Sequence, residues 1–267
     1  MAERSAARNL PGAGETLDDI GRGGLKILQR RDGYRFSVDA LLLADFVIPG
    51  RGPVIELGAG CGVVSLAIAR RHGLPVTAVE LQPRLCELAR RNVGLNDLGE
   101  RVEVIEADLR ALRDRLQPGR FTCAVANPPF FEVGAGVVNP EGEKALARHE
   151  ITASVADVAA AARWLLRDGG TLCAIFPAPR LCALFRAFAD SRLAIRRLRF
   201  IHPRPRLEAN LVLVEGVKNR PRARTEVLSP LFLFDEAGRE SVEARAIVDG
   251  VGLPASGQDV AGSSPSP

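Results

Sequence analysis

The sequence predicts an α/β fold, a mostly parallel sheet with helices on both faces, and three observations carry that prediction. Short apolar runs alternate with longer helical stretches from about residue 54 to about residue 190, the pattern of strands joined by crossover helices. A glycine-rich turn closes the first apolar run and opens the first helical stretch, where missing side chains let the backbone turn sharply and approach a ligand. After the alternation stops, two apolar runs follow with only His202-Pro203-Arg204-Pro205-Arg206 as a proline-rich link. So short a link suits antiparallel pairing, because a parallel crossover needs a dozen residues or more.

Taken in order, residues 1–24 are rich in Gly, Ala and charge without periodicity and read as a flexible arm ahead of a domain over 25–252. The first strand, Val54–Leu57, is apolar apart from Glu56. The second, Val76–Glu80, ends in an acid, and the third, Val102–Glu106, runs into Ala107-Asp108-Leu109. Residues 122–126 and 170–176 supply the fourth and fifth. Helical stretches lie between and after them at about 62–72, 83–96, 109–116, 154–167 and 179–190. Residues 193–201 and 208–215 form the closing pair, and the Gly, Ser and Pro of 253–267 read as a disordered tail without core-forming residues. No internal repeat is visible.

Composition narrows the class. With 267 residues and 46% apolar content the chain is long enough for one large domain or two small ones. A net charge of +4 permits an anionic partner without demanding one. The five cysteines, at 61, 86, 123, 173 and 182, have no CxxC spacing, which argues for reduced thiols in a cytoplasmic protein over zinc or disulfides. No apolar run is long enough to span a bilayer, and the N-terminus has no signal-peptide core.

Glu56-Leu57-Gly58-Ala59-Gly60-Cys61-Gly62 is the first chemical motif. A nicotinamide fingerprint would place its third glycine at 63, where Val63 stands. Glu80 ends the next strand about twenty residues on, where an acid can accept hydrogen bonds from ribose hydroxyls. Asp108 can receive an adenine amino group at the end of the third strand. Gly58, Ala59, Gly60, Gly62, Glu80, Leu81, Asp108 and Leu109 thus form a candidate crevice for an adenosine-containing cofactor. Singly, the glycines could only pack a helix on a strand, and the acids could be exposed loop residues. Glu56, inside an apolar strand, needs a partner if buried, and a cofactor ammonium is one.

Asn127-Pro128-Pro129-Phe130 follows the fourth strand. The Asn127 side-chain oxygen and the Pro128 carbonyl can accept both protons of a planar NH2 group while Phe130 covers its flat face. Two acceptors favour a pyramidal nitrogen with a localised lone pair, so they bind the transition state better than the ground state. The plainer alternative is a proline-rich turn. Phe131, Arg148 and His149 are further candidates for substrate contact, and the glycine-containing stretch 132–143 suggests mobility over the site. The three histidines, His72, His149 and His202, are far apart in sequence and suggest no metal. His72 reads as a helix-end cation and Trp164 as core.

In this order, the glycine motif, Val76–Glu80, Glu106-Ala107-Asp108-Leu109 and Asn127-Pro128-Pro129-Phe130-Phe131 resemble the Rossmann-like class I S-adenosylmethionine-dependent methyltransferases, specifically the amino-methylating branch. Tyr34-Arg35-Phe36-Ser37-Val38-Asp39 with the following leucines, Lys144 to Glu150, and Pro230 to Asp235 with Gly238 are similar to the bacterial tRNA adenine-N6 methyltransferases that act beside the anticodon of a valine tRNA. The resemblance implies a seven-stranded sheet with the last strand antiparallel, S-adenosylmethionine as cofactor, and adenine 37 of a tRNA as the methylated base. It also implies that Asn127, Pro128, Pro129 and Phe130 carry the chemistry. Phe130 stands where tyrosine is common, which keeps the stacking and excludes a phenol. Protein glutamine N5-methylation stays open, because those enzymes share the motif. They usually place a helical domain before the glycine loop, and only about 50 residues precede it here. A silent RNA-binding module and a small-molecule amine methyltransferase also stay open.

An RNA partner predicts a basic footprint. Arg196, Arg197, Arg199, Arg204, Arg206, Lys218, Arg220, Arg222 and Arg224 cluster near the closing strands, with Lys26, Arg30 and Arg31 as a second patch. A solvated charged face is the alternative. Oligomeric state is not legible.

Overall fold

A computed structural model describes residues 10–22, 24–32, 35–128, 153–220 and 224–250. The alternating runs become strands β3 (Val54–Leu57), β4 (Val76–Glu80), β5 (Val102–Glu106), β6 (Phe121–Ala126) and β7 (Leu166–Pro177). Helices α2 (Val63–His72), α3 (Pro83–Leu95), α4 (Val155–Leu165) and α5 (Leu181–Asp190) connect or follow them, with a 3-10 turn over Leu109–Asp114. The closing pair is β8 (Leu193–His202) and β9 (Leu211–Lys218). These seven strands lie in the order β5-β4-β3-β6-β7-β9-β8, with β9 antiparallel to both neighbours and the other six parallel. The expected sheet is thus present. Two short additions, β10 (Glu226–Val227) and β11 (Leu231–Phe232), run along β8 and bring it to nine strands.

Strand side chains alternate between two cores. Val54, Cys123, Val125, Cys173 and Ile175 face one core, shared with α2 and α3. Ile55, Leu57, Ala124, Leu172 and Phe176 face the other, closed by α4 and α5. Alternation of this kind follows from the two-residue period of a strand buried on both faces. The helices start and stop on local signals. Pro83 opens α3, a Ser154–Asp157 capping box opens α4, and Gly73 at φ 65° closes α2.

Several expectations need correction. The arm expected over 1–24 contains strand β1 (Glu15–Ile20), paired antiparallel with β2 (Leu25–Arg30), because Leu25, Ile27 and Leu28 bury in the first core. Residues 1–9 and the tail 251–267 lie outside the described residues. Helices α1 (Val38–Phe46) and α6 (Val242–Gly250) had no assignment from sequence. The fifth strand starts at Leu166, where the helix was expected to run to 167; Leu166 pairs with Phe121 across an irregular register and is buried. The last strand starts at Leu211, three residues later than expected, since residues 208–210 belong to the turn. His72 does end α2, but burial and then Arg71 lower its pKa, so Arg70 and Arg71 are the cations there. Trp164 is half-buried, with the Arg113 guanidinium 5.7 Å over its ring. Cys61, Cys86, Cys123 and Cys173 are buried free thiols, and Cys182 is exposed.

Candidate active site

The turn between β3 and α2 is built from left-handed residues: Gly58, Gly60 and Gly62 have φ of 79°, 57° and 89°. A Cβ on Gly58 would meet nothing within 4 Å, so the backbone angle, not crowding, asks for glycine and leaves open space for a ligand. The Val79 carbonyl accepts the N–H groups of Gly58 and Ala59, both at 2.9 Å. Glu80 continues the tie between the two strands. Its buried carboxylate accepts the Gly60 N–H at 2.8 Å and those of Leu81 and Gln82 at 2.9 Å. Three of roughly four lone-pair sites are used, so Glu80 is a rigid acceptor with capacity for a hydroxyl.

Glu56 is buried in β3, and Ser65 donates its N–H at 2.8 Å and its hydroxyl at 2.5 Å to one carboxylate oxygen. Burial raises the carboxyl from 4.5 to about 8, and the nearby Glu80 adds to the rise, against the two Ser65 bonds. No ion pair to Glu56 is found among the described residues. Glu56, Gly58, Phe36, Ala40 and Asn127 line a single cavity. Asn127 reaches it because β6 lies beside β3, with Val125 opposite Glu56. Asn127 is half-buried and Pro128 buried. The glycine turn and the start of the Asn-Pro motif thus share one space. The carboxylate in the cavity suits an ammonium, and Glu80 beside the turn suits a ribose, so the donor set fits S-adenosylmethionine.

Asp108 sits at the end of β5, next to the Glu80 segment, whose carbonyl accepts the Ala107 N–H at 2.9 Å. Its carboxylate is held by Arg110, whose Nε lies 2.9 and 3.0 Å from the two oxygens and whose Nη2 lies 2.6 Å from one. This guanidinium holds Asp108 below the ordinary carboxylate range. Arg110 therefore occupies the face of Asp108 that sequence reasoning left free for adenine. Leu81 and Leu109 are half-buried beside it. Pro129, Phe130, Phe131, Arg148 and His149 lie outside the described residues, as do Arg222 and the stretch 132–143.

Sequence reasoning missed Phe36 and Ala40 as cavity walls; the only signal was their place in the segment noted for its resemblance. It also overestimated the free positive charge. Arg196 and Arg197 both bind the buried Glu215, and Arg197 packs on Phe46 at 4.4 Å. Arg199 binds Glu243 at 2.5 Å, and Lys218 donates to the Leu166 carbonyl at 2.6 Å. In the second patch, Arg30 pairs with Asp32 at 3.2 Å. The exposed basic residues divide between the two ends of the sheet. Leu211 pairs with Pro177 and Ile201, whereas Lys218 pairs with Leu193, so Arg204 and Arg206 lie at the Asn127 end. Arg220 and Arg224 lie at the opposite end. No described helix is long and apolar enough to cross a membrane. Among the described residues no group of His, Cys, Asp or Glu could hold a metal ion.

The model of the methyltransferase small domain family matches residues 37–179, a span holding both the glycine turn and Asn127. A tRNA1(Val) (adenine(37)-N6)-methyltransferase of a Flavobacteriaceae bacterium (strain 3519-10) is 23% identical, over 80% of this chain and 88% of its own. One from Trichodesmium erythraeum is 29% identical, over 73% of this chain and 82% of its own. Among solved structures, a protein of Agrobacterium tumefaciens described as a predicted O-methyltransferase aligns with a TM-score of 0.65 and 25% identity, covering 82% of this chain and 99% of that one. With the sheet order, the space shared by the glycine turn and Asn127, and this match in agreement, the chain belongs to the methyltransferase small domain family and is an S-adenosylmethionine-dependent methyltransferase.

Proposed function

We propose that this enzyme methylates N6 of adenine in tRNA, at the anticodon-adjacent adenine 37 of a valine tRNA. The observation that carries the reading is the cavity that joins Glu56 and the glycine turn to Asn127. The printed activity of the relatives, tRNA1(Val) (adenine(37)-N6)-methyltransferase, supports adenine as the amine. Such a substrate agrees with a cytoplasmic enzyme.

S-adenosylmethionine supplies an activated methyl group whose leaving group departs as a neutral thioether. Glu56 would hold the donor's ammonium and Glu80 its ribose, and Asp108, which Arg110 holds here, would take its adenine amino group. The Asn127 side-chain oxygen and the Pro128 carbonyl accept the two N6 protons of the target base. They would localise the nitrogen lone pair towards the methyl carbon, the N–C bond forming as the methyl–sulfur bond breaks and the surplus N6 proton then passing to solvent water. Phe130 stacks on the base. Positioning supplies most of the rate, since the leaving group is already activated. The base must leave its stack, which an anticodon loop permits at low cost. Among the described residues of the basic segment, Arg204 and Arg206, the latter in an exposed pair with Glu236, lie at the same sheet end as Asn127 and could meet phosphates there.

Incubation of the purified enzyme with labelled donor and either total tRNA or release factors, followed by mass spectrometry of the product, tests the reading. Label is expected at N6 of a tRNA adenine. Label appearing only in protein would overturn it in favour of glutamine methylation.

A further inference from the structure

Two side chains of α3 and that of its C-cap Asn96 reach the N-terminal hairpin, and one of them continues to the glycine turn. Arg91 holds the Glu15 carboxylate with two nitrogens at 2.8 and 2.9 Å. Asn96 accepts the Lys26 N–H at 2.9 Å and donates to the Lys26 carbonyl at 2.7 Å. Asn92, one helical turn earlier, does the same at Leu28, at 2.7 and 3.0 Å. The two amides thus pair the edge of β2 that faces away from β1, where backbone groups need partners once buried.

Each side-chain NH2 makes a second donation, and here the two differ: that of Asn96 goes to the Asn92 carbonyl at 2.8 Å, within the same helix end. The Asn92 side-chain NH2 also donates to the Cys61 carbonyl at 2.9 Å, and Asn92 is fully buried. That carbonyl belongs to the peptide joining Cys61 to Gly62. The Gly62 N–H on the same plane closes the turn on the Ala59 carbonyl at 2.9 Å. Because a peptide is planar, holding its carbonyl fixes the direction of its N–H, so Asn92 sets the rotation of the peptide that shapes the cofactor turn. The hairpin meets the same cavity from a second side, through Gln29, whose side-chain oxygen accepts the Phe36 N–H at 3.2 Å.

We propose that Asn92 is a positioning residue for the methyl donor, locking the glycine turn and coupling it to the hairpin, so that donor binding and hairpin docking stabilise each other. Linkage makes the coupling reciprocal. The proposal rests on the turn being the S-adenosylmethionine site.

Asn92→Asp keeps the acceptor for Leu28 and removes both donations; Asn96→Asp makes the same change at Lys26 without touching the turn. Melting of the donor-free variants and calorimetric titration with S-adenosylmethionine separate the two roles. Similar losses in melting temperature are expected, with donor affinity weakened about tenfold in Asn92→Asp and less than about twofold in Asn96→Asp. Equal shifts in affinity, or wild-type affinity in Asn92→Asp, overturn the proposal. Hydrogen exchange on the wild type serves if Asn92→Asp does not fold: the donor should slow exchange of the Leu28 amide, and an unchanged rate overturns the coupling. A wild type that binds no donor would overturn the cofactor site itself.

Discussion

Replacing Glu56 by Gln should make the donor-free enzyme more stable and its grip on the donor weaker. Burial raises the Glu56 carboxyl from 4.5 to about 8, whereas in the unfolded chain it ionises near its ordinary value. Between those pH values the folded state binds the extra proton, so this group's contribution to stability falls as pH rises from 4.5 and levels off above about 8. At 1.36 kcal/mol per pH unit the loss by pH 7 is at most about 3 kcal/mol. Gln has nearly the same shape, keeps an oxygen for Ser65 and carries no titrating proton, so it escapes this loss. With about 2–4 °C per kcal/mol for a domain of this size, the variant should melt several degrees above the wild type at pH 7, with the gap closing towards pH 4.5. Donor affinity moves the other way. A charge-assisted hydrogen bond contributes about 1.5–3 kcal/mol, so Kd should rise by about ten- to a hundredfold. Titration in buffers of different ionisation enthalpy adds a signature: the wild type should release a proton on binding at pH 7, and the variant should not. A variant that melts below the wild type at pH 7, or that releases the same proton, would refute the reasoning.

Asn127→Ala should reduce methyl transfer by about a hundredfold or more with donor Kd nearly unchanged, read by transfer to tRNA beside calorimetry. Asp108→Asn should weaken donor binding about tenfold, whereas Arg110→Ala, which frees the carboxylate, should leave it unchanged or tighter in the same titration. Glu215→Ala should destabilise the fold by about 3–5 kcal/mol in denaturant unfolding, because it strands Arg197, whose side chain is only 14% exposed, beside Arg196. Arg204→Glu with Arg206→Glu should weaken tRNA binding and lower its salt slope by about two; Arg220→Glu with Arg224→Glu should change the slope less, and the reverse order would contradict the proposed docking end.

The strands of the sheet were legible because both faces are covered: a strand buried on two sides must be an apolar run, and Val54–Leu57, Val76–Glu80 and Phe121–Ala126 are. The hairpin was not legible. β1 has one fully buried residue, Ile20, and its other positions are polar or partly exposed, so it shows no period; it exists because β2 is anchored by Asn92 and Asn96. Nothing in the sequence separates those asparagines from the polar positions of an amphipathic helix. Among site residues, Glu56 and Glu80 were found because an acid ending or interrupting an apolar run is conspicuous. Arg110 was not, since its hold on Asp108 depends on the conformation of a 3-10 turn.

The basic segment shows why linear charge density misleads about a binding face. Between Arg196 and Arg224 the chain passes along the sheet twice in opposite directions, so neighbouring arginines are carried to opposite ends. The cations within the strands face a different constraint. Arg197 lies against the Phe46 ring and shares the buried Glu215 carboxylate with Arg196, so both cations are tied to the sheet. Among the described residues of this segment, the cations at the Asn127 end are in the turn holding Arg204 and Arg206, the latter in an exposed pair with Glu236 at 3.5 Å. That turn is braced by His202, whose Nδ1 lies 2.7 Å from the Leu207 carbonyl. A braced turn presents its arginines with less entropy to lose than a free loop would. Two cations on a braced turn at the same sheet end as Asn127, one of them in an exposed pair with an acid, therefore describe the basic face of that end better than the nine-residue count does.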